Sequence, residues 1–470
     1  MDTTGVRFGT SGVRGLVSEI TPEVCFAYVQ AFLQVVSHGS HGTVAIAMDL
    51  RPSSPQIVRA CMAALHSAGL KVDFCGSIPT PALAYYAQTQ GILGIMVTGS
   101  HIPFDRNGIK FYATHGEITK QEEAAIANAI VSVPEEIALP VLPKVSSTAA
   151  QTYINRYLNF FTPNILLGMK LGFYEHSSVA RDLLRTLLEA LGAEVISLGR
   201  TEEFVPIDTE AVSEADTKQA RLWANEFGFD AIISTDGDAD RPLVGDELGN
   251  WLRGDIVCTL CARYLEAETV VAPVSCNTAL ELSGAFSNVI RTRIGSPYVI
   301  EGIQRALAAG SAKVVGFEAN GGLILGSAIR KNDKVLAELM TRDAVLPILV
   351  LLVLAKTKRC KLSELLHGLP KRFTASDRLQ SFSQEASRLV LERLATSIEA
   401  ARSFFCDLGL LPASIDQTDG MRVLMKNGEI VHFRQSGNAP ELRCYAEADE
   451  QDRANWLVKE SLRLISQYKN

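Results

Sequence analysis

Apolar residues along the chain follow one grammar three times: a run with helical spacing, a small-residue turn containing glycine, then a short β-branched run. The three instances lie at 64–72, 188–195 and 308–314. Gly69, Gly192 and Gly310 stand where a helix C-terminus calls for a residue tolerant of the left-handed conformation. Their nearly equal spacing predicts three α/β units of one design. Short apolar runs at 94–97, 230–233 and 314–315 each end abruptly in a polar, glycine-containing loop. Ligands in open α/β sheets bind beyond the carboxyl ends of strands, so the three loops are expected to face one cleft. The uncharged stretch 345–355, with Pro347 inside it, predicts a buried helix, since about 20 apolar residues are needed to span a bilayer. Beyond Lys371 the grammar changes to a long helical stretch at 384–405, strand-like runs at 421–425 and 430–433, and an amphipathic helix at 450–468. A fourth, smaller α+β domain is expected there.

Composition narrows the function. A length of 470 residues suits three or four domains, and 47% hydrophobic with 21% charged residues excludes disordered, collagen-like and coiled-coil chains. Lys and Arg number 45 against 52 Asp and Glu, a formal net charge of -7. No basic tract offsets that charge, so nucleic acid is not expected as a partner, and an anionic small substrate needs a locally cationic cleft. The opening residues, Met1-Asp2-Thr3-Thr4-Gly5-Val6-Arg7, lack the charged start and apolar core of a secretory signal. A cytoplasmic protein with no membrane partner is expected. Nine scattered cysteines fit reduced thiols rather than a disulfide framework. Cys258 and Cys261 form a lone C-x-x-C without a second pair, on a segment that looks helical, and read as core residues rather than zinc ligands.

Two motifs carry chemistry. In Ser234-Thr235-Asp236-Gly237-Asp238-Ala239-Asp240-Arg241-Pro242 three carboxylates at alternate positions can converge on one hard divalent cation. An EF-hand would place Asp236, Asp238, Asp240 and Glu247 correctly, but its sixth position needs glycine and holds Arg241, Pro242 follows, and a strand precedes the loop. An aspartyl-nucleophile phosphatase, with Asp236 attacking, also fits the spacing. Against it stands a second candidate nucleophile in Thr98-Gly99-Ser100-His101-Ile102-Pro103, which continues through Asp105, Asn107, Gly108 and Lys110. Ser100 ends an apolar run with glycine before it and histidine after it.

Taken in order, these strings resemble the α-D-phosphohexomutase superfamily, the phosphomannomutases and phosphoglucomutases. The segment 98–110 is similar to its phosphoserine loop, 236–241 to its magnesium loop, 316–322 to its sugar-binding loop and 434–440 to its phosphate-binding loop. The N-terminal Phe8-Gly9-Thr10-Ser11-Gly12-Val13-Arg14-Gly15 and the following Asp49-Leu50-Arg51-Pro52-Ser53-Ser54 also match, so the resemblance spans the whole chain. It implies four domains around a central cleft: three related α/β units with mixed sheets, plus a smaller C-terminal α+β domain. The expected boundaries are 1–145 with the phosphoserine loop, 146–252 with the metal loop, 253–368 with the sugar loop and 369–470 with the phosphate loop.

The resemblance further implies interconversion of hexose 6-phosphate and hexose 1-phosphate, mannose favoured over glucose, through phosphorylated Ser100 and a hexose 1,6-bisphosphate. Mg2+ would be held by Ser100, Asp236, Asp238 and Asp240. Lys110, or else His101, would accept the proton of the attacking hydroxyl, and Arg14 and Arg241 would stabilise the transferring phosphoryl group. Glu318 and Asn320 would bind sugar hydroxyls. Arg434, Ser436, Gly437, Asn438 and Arg443 would grip the non-reacting phosphate. A monomer or homodimer is expected, with domain closure hinged near 368–371. Two alternatives stay open: an aspartyl-nucleophile sugar phosphatase, and a sugar-phosphate sensor without turnover. Four departures from the family pattern bear on sugar choice: Gly99 where many members have Ala, Ile102 for Asn, Gly322 for a histidine, and Asn438-Ala439 in place of threonines. Glucosamine phosphate is disfavoured because that branch usually carries Gln-Ser-Gly-His where Ala319-Asn320-Gly321-Gly322 stands.

Overall fold

The computed structural model describes residues 4–9, 12–36, 42–435 and 441–467. The chain forms two compact units, one of residues 1–270 with 295–366, the other of residues 271–294 with 367–470.

The first unit holds the repeated grammar. Its N-terminal sheet runs in the order Arg7–Phe8, Val13–Leu16, Arg106–Ala113, Leu93–Val97, Thr43–Met48, Lys71–Ser77. Thr43–Met48 is parallel to both its neighbours, while Leu93–Val97 meets Arg106–Ala113 antiparallel, so the sheet is mixed. Helices Ser54–Ser67 and Thr80–Gln90 begin with proline in the first turn, where a missing N–H costs nothing. A second sheet orders Pro242–Gly245, Ala231–Thr235, Lys170–Tyr174 and Glu194–Leu198, parallel except for its first pair. In helix Arg181–Ala190, Leu183, Leu184, Leu187 and Leu188 are buried, the one-sided stripe that packs a helix on a sheet. Strands Val314–Phe317, Leu323–Leu325 and Leu339–Asp343 pair antiparallel in that order. Helix Val345–Lys358 follows directly and is buried from Val345 to Val353, as its uncharged stretch predicts. Gly69, Gly192 and Gly310 each lie one residue past a helix C-cap at φ 74°, 96° and 92°, the left-handed closure expected of them.

The second unit contains an antiparallel sheet ordered Phe373–Leu379, Leu442–Ala448, Ile430–Gln435, Met421–Met425, Pro412–Asp416. The predicted helical stretch 384–405 is two helices, Gln384–Leu394 and Ile398–Phe405. Ser397 separates them, its side chain accepting the N–H of Ala400 at 3.1 Å as an N-cap. Helix Gln451–Gln467 closes the chain's described part.

Cys258 and Cys261 are buried on helix Gly254–Tyr264, and all nine cysteines are free thiols. Among the described residues no helix is long and apolar enough to cross a membrane.

Candidate active site

Two loops meet in the first unit, each at the carboxyl end of a strand. One leaves Leu93–Val97 at Thr98, the other leaves Ala231–Thr235 at Asp236. Both contain a non-glycine residue in the left-handed region, Ser100 at φ 54° and Ala239 at φ 57°. Such a conformation costs about 1–2 kcal/mol and persists where neighbours over-determine it. For Ser100 those neighbours are specific. Thr98 Oγ1 accepts from the Ser100 N–H at 2.8 Å, and Asp49 Oδ2 accepts from the Gly99 N–H at 3.1 Å. Arg51, 1% exposed, donates to the carbonyls of Ser100, Ile102, Pro103 and Arg106 at 2.5–2.9 Å while its Nε bonds Asp49 at 3.1 Å. All five guanidinium N–H groups are thereby used. A Cβ at position 99 would lie 2.5 Å from Arg51 Cζ, which accounts for Gly99.

The loops join through side chains. Ser100 Oγ donates to Asp236 Oδ2 at 2.6 Å. Asp238 Oδ2 accepts from Lys110 Nζ and from Thr80 Oγ1, both at 2.7 Å, and Asp240 Oδ2 accepts from Lys110 Nζ at 2.7 Å. Lys110 reaches them from strand Arg106–Ala113, next to Leu93–Val97 in the sheet. The three aspartates are fully buried, and one oxygen from each lies within 4.8 Å of the others, the one metal-ligand cluster among the described residues. Asp238 Oδ1 and Asp240 Oδ1 are buried without a hydrogen-bond partner. Two orphaned carboxylate oxygens beside a third carboxylate fit a hard divalent cation such as Mg2+.

Charges around this cluster are strongly coupled. Burial alone would raise Asp238 and Asp240, but Lys110 on the first and Arg342 on the second hold both below the usual carboxylate range. Asp236 has no side-chain cation at hydrogen-bond distance, and burial with repulsion from Asp238 and Asp240 pushes it well above that range. Burial opposes the Lys110 ammonium, yet the same two carboxylates outweigh it and raise its pKa. His101 is held neutral, chiefly by the Arg241 guanidinium and then by burial; its Nδ1 lies 2.9 Å from Arg241 Nη1 and 3.4 Å from Ser100 Oγ. Arg14, on Val13–Leu16, is lowered to about 10 by burial and by Arg241 and Arg342, and its Nη2 is buried without a hydrogen-bond partner.

The loop after Val314–Phe317 brings Glu318 and Asn320, each 5% exposed, into the same unit. Its turn closes through Gly321 at φ 89°, and the Asn320 backbone carbonyl accepts from Thr209 Oγ1 at 2.8 Å. Asn320 Oδ1 is spent inside the loop on the Gly322 N–H at 3.0 Å, so its amide NH2 is the part left for a ligand. Arg342 donates to Glu318 Oε2 at 2.8 Å and to Asp240 Oδ2 at 2.7 Å.

Arg434 and Arg443 belong to the second unit, directly opposite one another on adjacent strands. Like charges so placed repel, and a bound anion would relieve them. Arg434 Nε donates to both oxygens of Asp419 at 3.0 Å and lines a cavity of about 370 Å³ with Arg388 and Gln417. Ser436, Gly437 and Asn438 lie outside the described residues.

Sequence reasoning missed Arg342 and Thr80 and gave Arg51 no role. Arg342 left a signal in Thr341-Arg342-Asp343, a polar triplet squeezed against the uncharged stretch 345–355. Thr80 left none, being one hydroxyl at a helix start.

Fixed cations packed this densely around one hydroxyl and three carboxylates suit transfer of a strongly anionic group, and on domains of this design the class is a phosphohexomutase, an isomerase. Residues 5–136, 151–249 and 253–373 match the phosphoglucomutase/phosphomannomutase alpha/beta/alpha domains I, II and III, and 374–463 match the C-terminal domain of the same family. A phosphomannomutase of Salmonella muenchen is 49% identical, covering 98% of this chain and 95% of its own. One of Sinorhizobium fredii is 43% identical, covering 98% and 99%. Among solved structures, a phosphoglucomutase/phosphomannomutase family protein from Burkholderia thailandensis superposes with a TM-score of 0.73 at 19% identity, over 98% of this chain and 97% of that one. The open form of a Paramecium phosphoglucomutase gives 0.73 at 16%, over 97% and 94%, a likeness of fold. The chain belongs to the phosphoglucomutase/phosphomannomutase family.

Proposed function

We propose that the chain interconverts hexose 6-phosphate and hexose 1-phosphate, with mannose favoured over glucose, by way of a phosphoryl group on Ser100 and a hexose 1,6-bisphosphate. The carrying observation is the setting of Ser100 Oγ, held in a left-handed turn 2.6 Å from Asp236. Asp236 is a poor rival nucleophile, since Oδ2 accepts from Ser100 and Oδ1 from the Arg241 N–H at 3.2 Å. Mannose is favoured because the relatives of highest identity named above are phosphomannomutases over nearly their whole length.

Asp236, Asp238, Asp240 and the Ser100 oxygen are the groups to hold Mg2+. When bound, the ion neutralises charge on the phosphoryl oxygens during in-line transfer. Arg14 and Arg241 present fixed N–H donors to the same oxygens. The attacking sugar hydroxyl bonds phosphorus as the Ser100 oxygen departs, and Lys110 is assigned the hydroxyl's proton. Lys110 could take it only as the neutral amine, a form that Mg2+ on Asp238 and Asp240 would favour over the ammonium those carboxylates otherwise hold. His101 is a poor acceptor because its Nδ1 already faces Arg241 and its imidazole resists protonation. Glu318 and the Asn320 amide are assigned the sugar hydroxyls, and Arg434, Ser436, Gly437, Asn438 and Arg443 the non-reacting phosphate.

Intact-mass measurement tests the carrier: a removable adduct of about 80 Da on Ser100 is expected. Ser100→Ala should lose at least about 10³-fold in turnover while keeping sugar-phosphate binding. Equal activity in that variant sinks the assignment. Rates on mannose, glucose and glucosamine 1-phosphates, with catalytic bisphosphate supplied, rank the sugars.

A further inference from the structure

We infer that Arg342 is a positioning residue that sets the geometry of the sugar-binding carboxylate, and that Gly322 is the opening through which it enters. The inference rests on the functional reading above and names a residue that reading does not use. Arg342 is the penultimate residue of strand Leu339–Asp343 and is 2% exposed. Its Nη1 donates to Glu318 Oε2 at 2.8 Å, and Nε and Nη2 both donate to Asp240 Oδ2, at 3.2 and 2.7 Å. One planar fork therefore ties the loop after Val314–Phe317 to the loop after Ala231–Thr235. Glu318 keeps Oε1 free of any hydrogen bond to the described residues. A carboxylate pinned by one oxygen presents the other in a fixed direction, and an ionised carboxylate only accepts, as a sugar hydroxyl requires.

The route of the side chain explains a departure in the sugar loop. A Cβ built at Gly322 would lie 2.6 Å from Arg342 Cδ, 2.8 Å from Cγ and 3.0 Å from Cβ. Those atoms are the stem, not the mobile tip, so the arginine could not keep its course. Gly322 is not in the left-handed region, unlike Gly321 at φ 89°, so what it supplies is space rather than conformational freedom. A lysine at 342 would carry one compact ammonium on a shorter donor set and could not reproduce the planar fork's bond to Glu318 together with its paired bonds to Asp240.

A merely structural ion pair predicts something different. Losing it would lower the folded fraction, hence kcat, at unchanged KM. Steady-state rates with mannose 1-phosphate and bisphosphate are to be measured for Gly322→Ala, Arg342→Ala, Arg342→Lys and the Gly322→Ala/Arg342→Ala double variant, with urea unfolding in parallel. Each single change should raise KM by about 10-fold or more, the mark of lost ground-state positioning, while any fall in kcat reports the Asp240 end of the fork. The double variant should be little worse than Arg342→Ala alone, because Cγ and Cδ, the two nearest atoms of the stem, are then gone and only Cβ at 3.0 Å remains. Unchanged KM in both Arg342 variants, or effects that multiply in the double variant, overturn the inference. A wild-type protein that turns over no hexose phosphate overturns the functional reading instead. In that event, additive urea midpoints across the same cycle would still refute the passage of Arg342 over Gly322.

Discussion

Arg51 shows how one residue can hold the whole loop that carries Ser100. Its five donors meet Asp49 and four backbone carbonyls of the loop carrying Ser100, and the Phe204 ring lies under the guanidinium at 4.0 Å from its centroid. Arg51→Lys keeps a charge beside Asp49 but cannot reproduce the fork, so the Ser100 turn should relax out of line. We expect kcat to fall by about 10²-fold with little change in sugar-phosphate KM; steady-state kinetics at saturating bisphosphate will check it, and an unaltered kcat means the loop is held by other means. The acidic triplet and Ser100 were legible in the sequence because their chemistry is local: alternate carboxylates in one turn, a hydroxyl at a strand end. Arg51 and Arg342 resisted assignment because their partners come from distant segments, and an arginine's reach is fixed only by the fold. The two glycines that accommodate them, Gly99 and Gly322, looked like departures from a pattern and are in fact the space those side chains occupy.

At the scale of elements, glycine-closed helices and abrupt strand ends were readable, since left-handed caps and apolar runs leave local marks. The break within 384–405 was not, because the apolar stripe continues across it: Val390, Leu391 and Leu394 are buried before it, Ala401, Phe404 and Phe405 after it. Periodicity reports which face is buried, not whether the backbone is continuous. Thr396-Ser397 was the available sign, a capping residue followed by a fresh apolar run. Close approach between elements was also invisible. Helix Gly254–Tyr264 begins so near the sugar loop that a Cβ at Gly254 would lie 2.3 Å from the Gly321 nitrogen and 2.5 Å from the Asn320 carbonyl carbon. Backbone cannot yield as a side chain tip does. Gly254→Ala should therefore displace Glu318 and Asn320, raising sugar-phosphate KM by about 10-fold and lowering stability by about 1–3 kcal/mol. Kinetics with a parallel urea titration will test this, and normal KM would show that the loop position is not set by this contact.

Across the whole molecule, each unit buries an imidazole that its surroundings keep neutral. His176, in the first unit, lies with Nε2 2.9 Å from the Thr235 carbonyl, and burial takes its pKa down to about 4. His432, in the second, has Nε2 2.6 Å from the Asp419 carbonyl and is lowered to about 4 for the same reason. The carbonyl contact makes Nε2 the protonated nitrogen in both, and Nδ1 is buried without a hydrogen-bond partner in both. An unfolded chain binds these protons near pH 6.5. The folded pKa values are depressed, so the stabilisation is fully present above about 6.5, is lost as pH falls toward about 4, and changes no further below that. His101 contributes in the same direction. At pH 5 each of His176 and His432 should have cost on the order of 2 kcal/mol relative to neutral pH. His176→Asn with His432→Gln keeps donors but removes the titration, and asparagine suits the left-handed backbone at 176, φ 29°. The double variant should be less stable at pH 7.5 through packing, yet its urea midpoint should decline distinctly less between pH 7.5 and 5 than that of the parent. Parallel declines would mean that both imidazoles take up protons in the folded protein as readily as in the unfolded one, and that the acid sensitivity of this enzyme has to be sought among its carboxylates.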